Sequence, residues 1–423
     1  GMIMPEVKKR ARARRPALAL LEGLALAEEA RDMARRQRAF VRLLLRCRAS
    51  RGQATLLACG TSYHAAKAAS VFFDKIAGVR VGAMLPGDFR AEASASVQEG
   101  DLLITVSQSG ETKDLIDIVN LVRSSGKKTP VVAVVTNVNS TLAQEKADLC
   151  IPLLCGPETA VPATKSFMNQ LAVFYALALE TARLTSRGRE TAGRRAALLR
   201  VPALLEDTLA RCRPAVEKAA RELALRPSMH ILATGMQGVA REGALKVREV
   251  ALNHTEGYEG AEFKHGPNTI LGVGTIFGLE ALRAALRRGP GRPFASEFGR
   301  FYTNYPLVFV TGPGERDVNL TVSQINTHKI RGADIWVVAE EHKALREAIA
   351  QGGGKRGRFR SGFIPLPATG DGLLPFFTAA AALQLLALRM SLLKRSTLER
   401  AGIRDHGVHP DTPKNVSKSI TVD

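Results

Sequence analysis

Histidine, cysteine and aromatic residues are scarce in this chain, and each scarcity excludes something. Eight histidines are dispersed over 423 residues without ligand spacing, so no metal site is predicted and no cofactor is expected. The five cysteines, Cys47, Cys59, Cys150, Cys155 and Cys212, are odd in number and none stands in C-x-x-C spacing. That argues against a disulfide framework and for reduced, mostly buried thiols in a cytoplasmic protein. No uninterrupted apolar run reaches the roughly 18–20 residues of a membrane span. The basic, mildly apolar start lacks the sustained apolar core and cleavage site of a signal peptide, so no membrane contact is expected.

Acidic residues are outnumbered: 60 Lys and Arg against 40 Asp and Glu leave a net charge of +20. Such an excess suits nucleic acid or an anionic small molecule, or it reflects nothing more than arginine-rich helix faces. The basic runs KKRARARR, ARRQR, GRRAALLR and GGGKRGRFR hold one aromatic residue, Phe359, which is no platform for stacking bases. Without a helix-turn-helix, zinc or RNA-binding signature, nucleic acid is not expected as a partner. Hydrophobic content of 45% with 24% charged residues is that of a globular chain.

Residues 6–50 read as a helix with an apolar stripe through Leu20, Leu24 and Ala27. Short apolar strands follow in ATLLA (54–58), VRVGAML, DLLITVS, TPVVAVVTN and ADLCIPL, most of them separated by helical patterns. This alternation predicts an α/β fold with a parallel sheet covered by helices on both faces. TKSFMNQLAVFYALALETARL closes the unit as a helix, and residues 190–225 are helical again. The order then restarts: MHILATGMQGVAREGALKVREVAL repeats the strand, glycine, polar turn and helix of ATLLACGTSYHAAKAASVFF. PLVFVTG and ADIWVVAE add strands around the helical DVNLTVSQINTHKIRG, so an internal duplication is expected. The expected division is an N-terminal helical segment (1–50), a first domain (51–190), a helical linker (191–225), a second domain (226–395) and a tail (396–423). An arginine-rich segment at 272–304 has no place in this scheme, and 351–362, QGGGKRGRFRSG, reads as a flexible loop. FFTAAAALQLLALRMSLLK reads as a buried helix.

The sharpest chemical signal is SQSGET, residues 107–112. A strand ends near Ser107 and a helix starts near Thr112. The first N–H groups of that helix lack intrahelical partners and carry the positive end of its dipole. An ordinary N-cap needs one hydroxyl. Ser107, Ser109 and Thr112 supply three, where open parallel sheets bind ligands, so a phosphate cradle without a lysine is one reading and a plain cap the other. The turn Gly60, Thr61, Ser62 is a weaker version of the same signal.

In EGALKVREV, Glu242, Lys246 and Glu249 fall on one helical face. They are either a solvated ladder or a lysine holding a carboxylate poised as a general base. His265 lies in a constrained KHGP turn, and Lys418 in a tail that reads equally as solvated.

Together, ACGTSYHAA, SQSGETKDL, ATKSF, EGALKVREV, KHGP and the ending KNVSKSITVD resemble the isomerase half of the glucosamine-6-phosphate synthases, also called glutamine–fructose-6-phosphate aminotransferases. The resemblance implies two tandem sugar isomerase (SIS) domains, each a flavodoxin-like parallel sheet between helices, in a protein that dimerises. It implies that Ser107, Gln108, Ser109 and Thr112 hold a sugar 6-phosphate and that Gly60, Thr61, Ser62 and Val161 place the sugar. It assigns proton transfer between C1 and C2 to the position of Glu249. Lys246, supported by Glu242, and Lys418 would handle the carbonyl or imine, and His265 would assist ring opening from the partner subunit.

Two departures stand out. Pro162 and Ala163 replace Ala and Ser of the family, which removes one sugar contact. The family's glutaminase module has no counterpart in this sequence, so the chain alone is not expected to draw ammonia from glutamine. The resulting expectation is aldose–ketose isomerisation of a hexose 6-phosphate or amino sugar 6-phosphate. Deamination of an amino sugar phosphate, deglycation of a fructosamine phosphate, and non-catalytic phosphosugar sensing are the alternatives.

Overall fold

The computed structural model describes residues 16–156, 158–185, 191–272, 276–277, 302–350 and 359–411. Residues 1–15, most of the 272–304 segment and Lys418 lie outside them, as do the side chains of Leu20, Leu24 and Ala27. Helix α1 (Pro16–Ala49) leads in and buries Phe40, Val41, Leu44 and Cys47. The first sheet holds β1 (Ala54–Ala58), β2 (Gly82–Met84), β3 (Leu102–Ser107), β4 (Val131–Val135) and β5 (Leu149–Pro152), all parallel, in the order β2-β1-β3-β4-β5. Every residue of β1, β3 and β4 is buried, which is why these strands read as unbroken apolar runs rather than as alternation. Helices α2 (Gly60–Phe72), α3 (Pro86–Glu92), α4 (Lys113–Ser124) and α5 (Lys165–Arg183) cover the faces. In α4, Leu115, Ile118, Val119 and Val122 form the inward stripe.

Two further helices, α6 (Thr191–Leu199) and α7 (Val201–Leu223), precede a second sheet, and α7 buries Cys212, Val216, Ala219, Ala220 and Leu223 in the core. Its strands β6 (Ser228–Thr234), β7 (His254–Glu259), β8 (Tyr305–Thr311), β9 (Ala333–Glu340) and β10 (Ser361–Leu366) are again parallel, in the order β10-β9-β8-β6-β7. Counted from its own first strand, each sheet follows the same 2-1-3-4-5 order. Helices α8 (Gln237–Ala251), α9 (Glu315–Ile330), α10 (Lys343–Ala350) and α11 (Pro375–Arg400) accompany it.

Three expectations are corrected. The edge strands β7 and β10 are not predicted from sequence; β7, HTEGYE, has little apolar content, and β10 begins inside the stretch read as a loop. All five cysteines are free, but only Cys47 and Cys212 are fully buried; burial pushes both thiols up to about 11. Helix α11 is long and apolar enough to cross a membrane, although Thr378, Gln384 and Arg389 interrupt its run, and 72% of its apolar window is buried inside the protein.

One apolar core joins both sheets through Leu56, Phe72, Tyr175, Ile231 and Phe377. Phe72 of α2 meets Tyr175 of α5 and Phe376 of α11 edge-on, with ring centroids 5.3 and 5.1 Å apart. The helices that follow the first strands of the two sheets, α2 and α8, also pack face to face, with Gly238 against the His64 backbone.

Candidate active site

The strands β1 and β3 are neighbours, paired from Ala54 with Leu102 to Ala58 with Val106. From β1 the chain proceeds to one side of the sheet, and from β3 to the other, so their carboxyl ends flank the switch point where such folds take ligands. Ser107, 2% exposed, ends β3 there. Its Oγ accepts the Gly110 N–H at 3.0 Å and lies 2.8 Å from Thr112 Oγ1 and 3.5 Å from Ser109 Oγ. Ser109 Oγ accepts the Glu111 N–H at 3.2 Å.

Thr112 stands at the N-cap of α4 but makes no capping bond; its hydroxyl turns to Ser107 instead. Three hydroxyls thus converge at a helix N-terminus. The turn is held from behind: the Glu111 carboxylate accepts the Thr141 N–H at 2.8 Å, and the Gly110 carbonyl accepts the Leu142 N–H at 3.1 Å. Gly110 is required because its φ is +72° and a Cβ there would overlap the Ser140 hydroxyl. Gln108 is half-buried, and its carbonyl accepts the Thr136 N–H at 3.3 Å.

At the end of β1, Gly60 takes φ +53° to start α2. That turn aims Thr61 at α8. Thr61 Oγ1 donates to Glu242 Oε1 at 3.2 Å and accepts from Lys246 Nζ at 3.2 Å. Lys246 Nζ lies 3.3 Å from Glu242 Oε1 and 2.6 Å from Glu249 Oε2. The side chains of Glu242 and Lys246 are 1% and 2% exposed and that of Glu249 20%, so this is no solvated ladder. An ammonium so deeply buried persists only with opposite charges around it. Burial raises the Glu249 carboxyl above its usual range, against the lowering pull of Lys246. Ser62 is buried beside them and accepts a hydrogen bond from Gln170 Nε2 at 3.0 Å.

Lys246 also forms part of the wall of a 580 Å³ cavity, together with Thr159, Ala160 and Pro162 of the loop before α5, Leu385 of α11, and Asp411. Val161 is half-buried between two of those wall residues. His265 is exposed on the turn after β7, and among the described residues its ring makes no hydrogen bond or ion pair. Sequence reasoning missed His64. Its Nδ1 lies 2.8 Å from Glu242 Oε2. The available signal was its place in GTSYH, one helical turn after Thr61 and so on the same face.

Residues 49–180 match the family model described as SIS domain. This is a SIS-domain protein. It is homologous to the isomerase half of glutamine–fructose-6-phosphate aminotransferase. The enzyme of that name from Thermotoga maritima is 30% identical over 369 residues, 87% of this chain and 51% of the relative. The SIS-domain chain thus spans about half the length of the curated relatives it matches.

Two solved structures share the SIS fold. The C-terminal domain of glucosamine-fructose-6-phosphate aminotransferase from Francisella tularensis is 22% identical with a TM-score of 0.63, covering 81% of this chain and 85% of that one. Tagatose-6-phosphate ketose/aldose isomerase from Escherichia coli is 18% identical with a TM-score of 0.57, covering 86% and 92%.

Proposed function

We propose that this chain is a cytoplasmic phosphosugar isomerase. It takes a hexose 6-phosphate or amino sugar 6-phosphate, of the fructose 6-phosphate or glucosamine 6-phosphate type, and moves a proton between C1 and C2. The observation that carries the reading is the 2.6 Å contact between Lys246 and Glu249, which Thr61 ties to the end of β1, the strand paired with the one that ends in the hydroxyl turn.

Ser107, Gln108, Ser109 and Thr112 anchor the phosphate at the α4 N-terminus, which orients the reacting end of the sugar. Thr61, Ser62 and the Val161 loop flank the sugar. Glu249 removes the proton from one carbon and returns it to the next. Lys246 stabilises the negative oxygen of the enediolate between those steps, held in place by Glu242 and Thr61. Asp411 lines the cavity wall, and Lys418 follows it by seven residues in the sequence. Seven extended residues span roughly 25 Å at most, enough for Lys418 to enter as an imine-forming amine. His265, exposed within one chain, is assigned to the site of a partner subunit in a homodimer.

The test is proton exchange in deuterated water with fructose 6-phosphate and glucosamine 6-phosphate. Exchange at C1 or C2 is expected. Ammonia or amine release would redirect the reading to deamination or deglycation through the same intermediate. Binding without exchange would make the protein a sensor.

A further inference from the structure

His64 belongs to the buried cluster although nothing in the roles above uses it. It is 8% exposed and lies in α2, on the opposite side of the interface from the charged face of α8. Glu242 divides its two oxygens: Oε1 takes the Lys246 ammonium and the Thr61 hydroxyl, while Oε2 lies 2.8 Å from His64 Nδ1. An ionised carboxylate only accepts hydrogen bonds, so Nδ1 carries the hydrogen. Among the described residues, His64 is the one that serves Glu242 Oε2. Lys246 is shared between Glu242 at 3.3 Å and Glu249 at 2.6 Å. What satisfies the charge of Glu242 therefore decides how strongly it competes with Glu249 for the single ammonium.

We propose that His64 is a positioning residue for proton transfer: by donating from Nδ1 to Glu242, it leaves Lys246 close to Glu249 and keeps Glu249 an ionised base. The proposal rests on the reading of Glu249 as the base. Other charges surround the pair. His64 opens onto a 290 Å³ polar pocket with Arg241 and Arg248 of α8 and with Glu256 and Tyr258 of β7. Arg248 is paired with Glu256 at 2.9 Å, and Lys67 lies one turn along α2 beside Gly238. Arg248 also acts on Glu249 at longer range. At the end of α8, Lys394 of α11 donates to Ala251 O and Asn253 Oδ1. Across the cavity stand Glu158, Lys165 and Asp411. All of these are left in place by substitutions at position 64.

The experiment follows the Glu249 carboxyl by carbon-13 NMR through a pH titration of the full chain, in wild type, His64→Phe, His64→Asn and His64→Gln. Phenylalanine fills the space without a donor, and the Glu249 midpoint is expected to rise by about one pH unit as Lys246 is drawn toward Glu242. Asparagine places its amide nitrogen where Nδ1 stands and should restore the wild-type midpoint. Glutamine places it where Nε2 stands and should not; it also substitutes for the phenylalanine variant if that variant fails to fold. An unchanged midpoint in His64→Phe and His64→Gln overturns the proposal. So does a wild-type ring with its hydrogen on Nε2 alone in nitrogen-15 spectra. These readouts need no substrate, so a wild type that exchanges no sugar proton would sink the isomerase reading separately. In an active enzyme the acid limb of kcat/KM should shift in the same order across the variants, with KM held within a few-fold by the untouched phosphate seat.

Discussion

Gly238 of α8 lies directly against the backbone of His64 in α2, so closely that a methyl group there would overlap the His64 carbonyl oxygen. The two helices meet at this point because one of them has no side chain. Only at that separation can Thr61 reach both Glu242 and Lys246.

Gly238→Ala is therefore expected to force the helices apart, at a cost of about 1–3 kcal/mol in denaturant unfolding. In an isomerase assay it should lower kcat more than it raises KM, because the phosphate turn lies on α4 rather than on this contact.

Glu249→Gln should abolish exchange of sugar protons, with a loss of about 10²–10⁴-fold in rate, while the melting-temperature shift given by a sugar phosphate persists. Removal of binding and exchange together would instead make Glu249 a ligand contact.

The pH dependence has a definite sign. Burial raises the Glu249 carboxyl above its ordinary value of 4.5. A base must be ionised, so activity should fall away on the acid side at higher pH than an ordinary carboxylate would give. For stability, a raised folded-state value favours the fold below the ordinary carboxylate range and loses that contribution as pH rises through it. Glu249→Gln should thus flatten this part of the profile, losing less stability than wild type as pH rises from acid to neutral. Calorimetry across pH checks both ends.

Ser109→Ala with Thr112→Ala should remove the thermal shift produced by fructose 6-phosphate and leave unliganded stability nearly unchanged. Their hydroxyls lie half or fully exposed at the turn, whereas the buried Ser107 organises it. Gly110→Ala should act differently. It strains a φ of +72° and collides with Ser140, so unfolding measurements should show lost stability along with lost binding.

Much of this arrangement was legible before any coordinates. The buried strands ATLLA, LLITVS and VVAVV announce a two-faced sheet because each is apolar throughout. The SQSGET turn announces its hydroxyls because a cap needs so few. The edge strand HTEGYE was not legible: it has one neighbour, its side chains are exposed or half-buried except for the buried Thr255, and so it carries no apolar signature. His64 was hidden for another reason. It lies 178 residues from Glu242, and only the packing of one half against the other makes it a partner. In the same way, the spacing of Glu242, Lys246 and Glu249 fixes their common face but not whether that face meets water or protein.

The split of the cluster between α2 and α8 constrains how such a chain can diverge. Each half supplies what the other lacks: threonine and histidine from the first, carboxylates and the amine from the second. Neither half is a spare, and a change that reshapes either packing helix is felt at once by its twin.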